Sequence, residues 1–362
     1  MMSRLLLSIL VVFSLGTTGW SAPKKKTSAK TTSKAPAKKT ATKSTAKKTT
    51  AAKPAEEKKE LAPGELPIFA RAALAMDAKT GEVLYEKNAD VIEYPASATK
   101  ILTALVVIES GDLDRLVTIE ETDADVEPSA LYIKPGETYT RRALLYILMI
   151  KSANDVARAL ARDNAGSIEA FGEKMTERAF AAGAVSSNFK NPHGLHDPHH
   201  YTTAHDLAKI TRAAMQNEFL RELTSTVEIR IRKDDEWMLF RTRNRLLTQM
   251  PEYIGGKTGY TRAAQQVLAS AAEKEGAQAI SVVLHTNKPG IWDDSKLLLE
   301  HALGKLLAPP PPPVVPEGPA TVAPAAVEPA GPAGATGAAA ASPGESGVSA
   351  AAAASRSAPA TQ

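Results

Sequence analysis

The 362-residue chain contains no cysteine. Disulfides, thiolate metal ligands and a cysteine nucleophile are therefore excluded. Aromatic residues are scarce, 5% of the sequence, and none falls between residues 23 and 60, where lysine is concentrated. That basic run has no stacking platforms for bases, so nucleic acid is not expected as a partner. No apolar run approaches the ~20 residues that a membrane-spanning helix needs. The longest near the N-terminus, residues 5–15, follows Arg4 and precedes the small residues Gly16, Thr17, Thr18 and Gly19. Residues 1–22 are read as a secretory signal peptide cleaved after Ser21 or Ala22, with an uncleaved anchor as the alternative. Export to the periplasm, cell wall or exterior is expected.

Large apolar residues are also nearly missing from residues 23–61 and from the tail, 308–362. The first is a Lys/Ala/Thr-rich basic linker and the second a Pro/Ala-rich stretch opening on Pro309–Pro313. Neither can bury a core, and both are expected to be disordered, with polyproline II over the proline run. Residues 23–60 hold 13 Lys and 3 Glu, a net of +10, and Arg4 adds one charge. The overall net charge is +4, so residues 61–362 carry −7. A basic arm is thus joined to an acidic body. Such an arm is either a solvated spacer or a contact to an anionic cell-wall polymer or lipid headgroup surface. The folded body is expected over residues 62–307, one large domain.

Within the body, strand-like runs at residues 70–76 and 82–86 flank the turn Asp77-Ala-Lys-Thr-Gly81, a hairpin signal. A second hairpin is expected from residues 266–272 and 279–285. Between them lie helical patterns: one after Pro95, one capped by Thr140, one after Asn154, one capped by Ser167 and one capped by Thr203. Residues 188–201 read as loop, residues 227–232 and 237–241 as strands, and residues 292–307 as a closing amphipathic helix. The fold class is α/β in the α+β sense: an antiparallel sheet assembled from both ends of the domain, with flanking helices and an inserted helical cluster.

Three short stretches carry the chemistry. Ser97 and Lys100 stand three residues apart at the start of the helix after Pro95, so hydroxyl and amine share one face. Backbone N–H groups and the positive end of the helix dipole point to the same place, where an attacked carbonyl would turn into an anion. Ser152-Ala-Asn154 sits in a break between two helices. Lys257-Thr-Gly259 enters an edge strand. Each pattern also occurs elsewhere: Ser21…Lys24, Ser44…Lys47 and Ser187…Lys190 read S-x-x-K, Ser186-Ser-Asn188 reads S-x-N and Lys79-Thr-Gly81 reads K-T-G. Taken singly, Ser97 and Asn154 could be no more than helix caps. Only one set falls in the order S-x-x-K, S-x-N, K-T-G with each member in fitting local structure.

This ordered set resembles the penicillin-binding proteins and serine β-lactamases. Flanking stretches narrow the resemblance to the low-molecular-mass serine D-alanyl-D-alanine carboxypeptidases: Asn88-Ala-Asp90, Pro95-Ala-Ser97, Tyr132-Ile-Lys-Pro-Gly-Glu137, Ser152-Ala-Asn-Asp-Val156, Asn191-Pro-His-Gly-Leu195, Tyr201-Thr-Thr-Ala-His-Asp206 and Gly256-Lys-Thr-Gly-Tyr-Thr261. The likeness covers about residues 65–307 and implies a β-lactamase/transpeptidase-like fold. It implies that Ser97 is acylated by a peptidoglycan stem peptide ending in D-Ala-D-Ala, with Lys100 as base. Ser152 would relay a proton to the leaving amine and Asn154 would hold the substrate amide. Lys257 and Thr258 would bind the terminal carboxylate. Gly259 would leave room for substrate to lie along the strand, and the N–H groups of Ser97 and Tyr260 would form the oxyanion hole. β-Lactam antibiotics would acylate the same serine, and neither metal nor organic cofactor is needed.

Departures from the wider group are also legible. Ala153 stands where a class A β-lactamase normally carries an acidic residue, and no glutamate loop for deacylation is evident, so slow release of penicillin is expected. The run Arg262-Ala-Ala-Gln-Gln266 replaces a glycine-containing one. The Pro/Ala tail stands where many relatives carry an all-β domain and an amphipathic anchor. D,D-Endopeptidase cleavage of cross-links, or wall binding without catalysis on the same fold, are the alternatives. Five of seven histidines cluster between His193 and His205 with Asp197 nearby. Pro192, Gly194 and Pro198 keep them off one helix face and no H-E-x-x-H occurs, so a polar loop rather than a zinc site is expected.

Overall fold

The computed structural model describes residues 9–11 and 64–309, apart from 125, 127 and 235. They belong to the first of two units, which ends at Pro309. The second unit, the expected basic linker and most of the expected leader lie outside the described residues.

Strands from the two ends of the body meet at the centre of the main sheet. β2 (Ala72–Asp77) pairs antiparallel with β10 (Ala277–Thr286), and the order is β3-β2-β10-β9-β8. β3 is Val83–Lys87, β8 Tyr253–Thr261 and β9 Gln265–Lys274. The β2–β3 turn is built by Asp77, whose carboxylate accepts from Lys79 N and from the Thr80 hydroxyl, both at 2.8 Å. Gly81 closes it at φ +83°, a conformation glycine adopts at little cost. At the β8–β9 end the chain turns without glycine: Gln265 takes φ +55° there.

Side chains alternate across the sheet. Leu74, Met76, Ile280 and Val282 face the helical cluster, while Ala73, Ala75, Leu268 and Val283 face the closing helix α9 (Gly290–Leu307). The cluster contains α1 (Lys100–Glu109), α2 (Glu121–Ala124), α3 (Arg141–Ile150), α4 (Asn154–Ala165), α5 (Ile168–Ala181), α6 (Ala204–Met215) and α7 (Glu218–Ser225); α8 (Leu246–Gln249) precedes β8. Thr140, Ser167 and Thr203 cap α3, α5 and α6 with their side-chain oxygens, as their sequence positions predict. The short helix α7 is an addition to the expected elements, and Asn217 caps it in the same way.

Two small sheets complete the fold. β4 (Leu116–Thr118) pairs with β5 (Thr138–Thr140), and β6 (Glu228–Lys233) forms a hairpin with β7 (Glu236–Arg241). The backbone of β1 (Ile9–Val11) runs parallel to β6. Among the described residues no helix is long and apolar enough to cross a membrane.

The spacing of apolar residues predicts one buried face for α1, yet every residue from Lys100 to Val107 is buried. The helix runs through the middle of the cluster, packed by α3, α4, α5 and α6. Ile101, Leu102 and Leu105 each contribute about 1.5–3 kcal/mol by burial. That helps offset the cost of taking the Lys100 amine out of water.

Asp294 ties α9 to the sheet. Its carboxylate accepts from Phe69 N (3.0 Å), Ala70 N (2.8 Å) and Thr286 Oγ1 (3.1 Å). Asp294→Ala strands two backbone donors and should cost about 2–4 kcal/mol of unfolding free energy in a urea titration. A loss below about 0.5 kcal/mol would show that this tie contributes nothing.

Candidate active site

The Ser97 turn is tightly constrained. Pro95 enters it, Ala96 takes φ +47°, and a 3₁₀ turn over Ala96–Thr99 leads into α1. An alanine in the left-handed region costs of order 1–3 kcal/mol and persists only where its surroundings hold it. Here the loop over residues 188–201 holds it: a Cβ added to Gly194 would lie 1.7 Å from Ala96 O. Ser97 therefore stands in the 3₁₀ turn that precedes α1, and Lys100 is the first residue of α1. No side-chain oxygen caps either the 3₁₀ turn or α1.

The Lys100 side chain is completely buried. Its Nζ lies 2.7 Å from Asn154 Oδ1, 2.7 Å from His193 O and 3.2 Å from Ser97 Oγ. Burial, and then the charge of Lys257, hold this amine well below the ordinary lysine range; Asp155 pulls weakly the other way. A neutral amine has two N–H bonds and one lone pair. With the two carbonyl-type oxygens taking both hydrogens, the lone pair is left to Ser97.

Asn154 is the first residue of α4, but its side chain is not a cap. Its Nδ2 donates to Pro128 O (2.5 Å) while its Oδ1 holds Lys100. Ser152 turns the chain between α3 and α4 at φ +62°. Its Oγ accepts from Lys257 Nζ at 3.0 Å, which links the second and third motifs. Asp155 locks the neighbouring loop by accepting from the N–H groups of Leu131, Ile133 and Val156.

Lys257 is buried on β8, at the edge of the main sheet. Burial, and then the charge of Arg243, lower its pKa to about 7. Lys100 and Lys257 are thus both depressed by burial and a neighbouring cation, Lys100 by Lys257 and Lys257 by Arg243. Thr258 is partly exposed and Tyr260 exposed, and both follow Lys257 along the strand. For Gly259 the structure supplies a different reason from substrate clearance. An added Cβ would lie 2.8 Å from Ser97 N and 3.0 Å from both Ala96 Cβ and Ala98 N. The missing side chain lets β8 close against the nucleophile turn itself.

All three predicted motifs thus converge. Arg243, His193 and His200 were not picked out as site residues by sequence reasoning. Arg243 lies in an unremarkable Arg241-Thr-Arg-Asn244 run, and the His193 contact is made by backbone, which no side-chain pattern reports. Among the described residues no group of three or more His, Asp and Glu is arranged to hold a metal ion.

Gly259→Ala should leave the circular dichroism spectrum intact but push the Ser97 backbone aside. A misplacement near 1 Å costs roughly 100-fold. Acylation by a labelled penicillin should slow by about that factor; an unchanged rate would mean that the turn tolerates the methyl group.

The D-alanyl-D-alanine carboxypeptidase family profile matches residues 56–288. D-Alanyl-D-alanine carboxypeptidase DacF of Bacillus subtilis is 35% identical over 232 residues, which cover 62% of this chain and 59% of that protein. DacB2 of Mycobacterium tuberculosis is 33% identical over 246 residues, covering 66% of this chain and 84% of that one. The crystal structure of a D-alanyl-D-alanine carboxypeptidase from M. tuberculosis superposes with a TM-score of 0.64 at 34% identity, covering 68% of this chain and 96% of that one. The chain belongs to the D-alanyl-D-alanine carboxypeptidase family, serine peptidases of the low-molecular-mass penicillin-binding type with the β-lactamase/transpeptidase fold.

Proposed function

We propose that the protein removes the terminal D-alanine from peptidoglycan stem peptides through an acyl-enzyme on Ser97. The observation that carries this reading is a buried lysine amine, biased toward its neutral form, against the Oγ of the serine that heads the first motif. Ser97 Oγ attacks the carbonyl joining the last two D-alanines and its proton passes to Lys100. The backbone N–H groups of Ser97 and Tyr260 hold the oxyanion. Ser152, in contact with Lys257, relays a proton to the leaving amine as the C–N bond breaks. Water then enters, returns the serine and releases the shortened peptide. Asn154 holds the substrate amide while fixing Lys100. Lys257, Arg243 and the Thr258 hydroxyl bind the terminal carboxylate.

Penicillins acylate the same serine, and with Ala153 in the second motif the adduct is released slowly. Residues 1–22 act as an export signal and residues 62–307 form the catalytic domain. Residues 23–61 are a basic linker held to anionic wall polymer or headgroups, and residues 308–362 are a tail. The enzyme works outside the cytoplasm, in the periplasm or wall.

Intact mass after incubation with benzylpenicillin should show one stable adduct on the wild type and none on Ser97→Ala. Absence of an adduct on folded wild type would sink the acyl-enzyme mechanism and leave wall binding without catalysis. Turnover of a monomeric peptide ending in D-Ala-D-Ala, against a cross-linked muropeptide, separates carboxypeptidase from endopeptidase action.

The two lysines set opposite limbs of the pH profile. Lys100 must be neutral, and its depressed pKa keeps it so well below the ordinary lysine range. Lys257 must be charged to hold a carboxylate, and in the free enzyme it loses its proton above about pH 7. KM for the acidic peptide should therefore rise above that pH, whereas a C-terminally amidated analogue should show no such rise. A KM for the acidic peptide that does not change across that range would remove Lys257 from carboxylate recognition.

A further inference from the structure

The histidine-rich loop has no part in the chemistry above, yet it supplies one of the three contacts to Lys100. His200 lies at its end, 1% exposed, with both ring nitrogens engaged. Nδ1 accepts from the backbone N–H groups of Lys190 (3.0 Å) and Asn191 (3.3 Å). Two donors on Nδ1 place the ring proton on Nε2, which donates to Thr99 Oγ1 at 2.9 Å. Thr99 immediately precedes Lys100. The same loop is stitched to α1 a second time, by Thr103 Oγ1 donating to Pro192 O at 2.7 Å. Asn191 Oδ1 then accepts from Gly194 N at 2.7 Å and shapes the turn that presents His193 O to Lys100 Nζ.

We propose that His200 is a positioning residue for Lys100: its imidazole ties the loop over residues 188–201 to α1 and so keeps the His193 carbonyl on the lysine amine. The inference rests on the acyl-transfer reading, with Lys100 as the base. Without that carbonyl one amine hydrogen loses its acceptor, the amine can rotate, and its lone pair no longer has to face Ser97. The loop also seals the amine from water, and burial is the largest cause of its depressed pKa. The titratable groups facing His200 are Asp197 and His193 from its own loop and Lys100 from α1, with the Phe189 ring edge-on at 5.4 Å. An imidazolium here would set an Nδ1–H against two backbone donors. Burial keeps the ring neutral down to about pH 4.

The test is penicillin acylation of the full chain, with the limiting rate separated from the half-saturating concentration and followed against pH. His200→Ala should lower the limiting rate about tenfold to a hundredfold at an unchanged half-saturating concentration. Its acid limb should move to higher pH as water reaches the amine. His200→Gln, whose amide N–H can reach Thr99 as Nε2–H does, should recover much of the rate and the wild-type limb, whereas His200→Asn, which keeps only an acceptor at the Nδ1 position, should stay as slow as His200→Ala. A His200→Ala rate and pH profile equal to wild type would overturn the proposal. Where that variant fails to fold, Thr99→Val removes only the acceptor for Nε2–H. It should give a several-fold smaller rate with the same shift of the limb, and no change would overturn the proposal equally. Wild type that forms no adduct at all would instead refute the acyl-enzyme reading beneath it.

Discussion

A lysine amine held out of water is the constraint on which this site depends. Desolvation of Lys100 is costly, and it is sustained because α1 is buried on all sides and brings several large aliphatic residues into the core. The partners of the amine come from separate parts of the chain: Ser97 from the preceding turn, Asn154 from the start of α4, and His193 O from the loop before α6. Each would be unremarkable alone. Together they leave a neutral amine one orientation, with its lone pair toward a hydroxyl.

Backbone strain and close approach are concentrated around the same point. Ala96 and Ser152 both take positive φ without being glycine. Gly194 and Gly259 press from two sides on the turn that carries Ser97. Strained conformations persist where neighbours over-determine them, and here the neighbours are a loop on one side and an edge strand on the other. The result is a serine whose backbone N–H and side chain are both held before substrate arrives, which is where preorganised catalysis draws its advantage.

The two lysines are distinguished by their surroundings. Lys100 is buried against carbonyl-type oxygens and feels a second cation, which together hold its amine well below the ordinary lysine range. Lys257 touches the hydroxyl of Ser152 and feels Arg243, and its pKa of about 7 leaves its charge to be set by what binds beside it. A carboxylate would restore that charge, and the repulsion on Lys100 would grow with it. Binding of an acidic peptide end and neutrality of the base are thereby coupled through one pair of cations.

Much of this was legible in the sequence. The two hairpins followed from the turn at residues 77–81 and the strand runs at 266–272 and 279–285, the sheet built from both ends from strands flanking a helical middle, the helix starts from Thr140, Ser167 and Thr203, and the family from the order of three short motifs. These features are local or depend on chain order, so a linear reading reaches them. How the pieces face one another is set by the packed fold alone. Asn154 is spent on Lys100 instead of on a helix end, Gly259 makes room for the Ser97 turn and not only for a ligand, and His193 contributes a carbonyl. Arg243 acts across space on Lys257, and His200 finds Thr99 from 101 residues away. Residue type and spacing say which groups a segment carries. Burial, close backbone approach and the depression of a lysine pKa arise only when distant segments share one volume and exclude water from it.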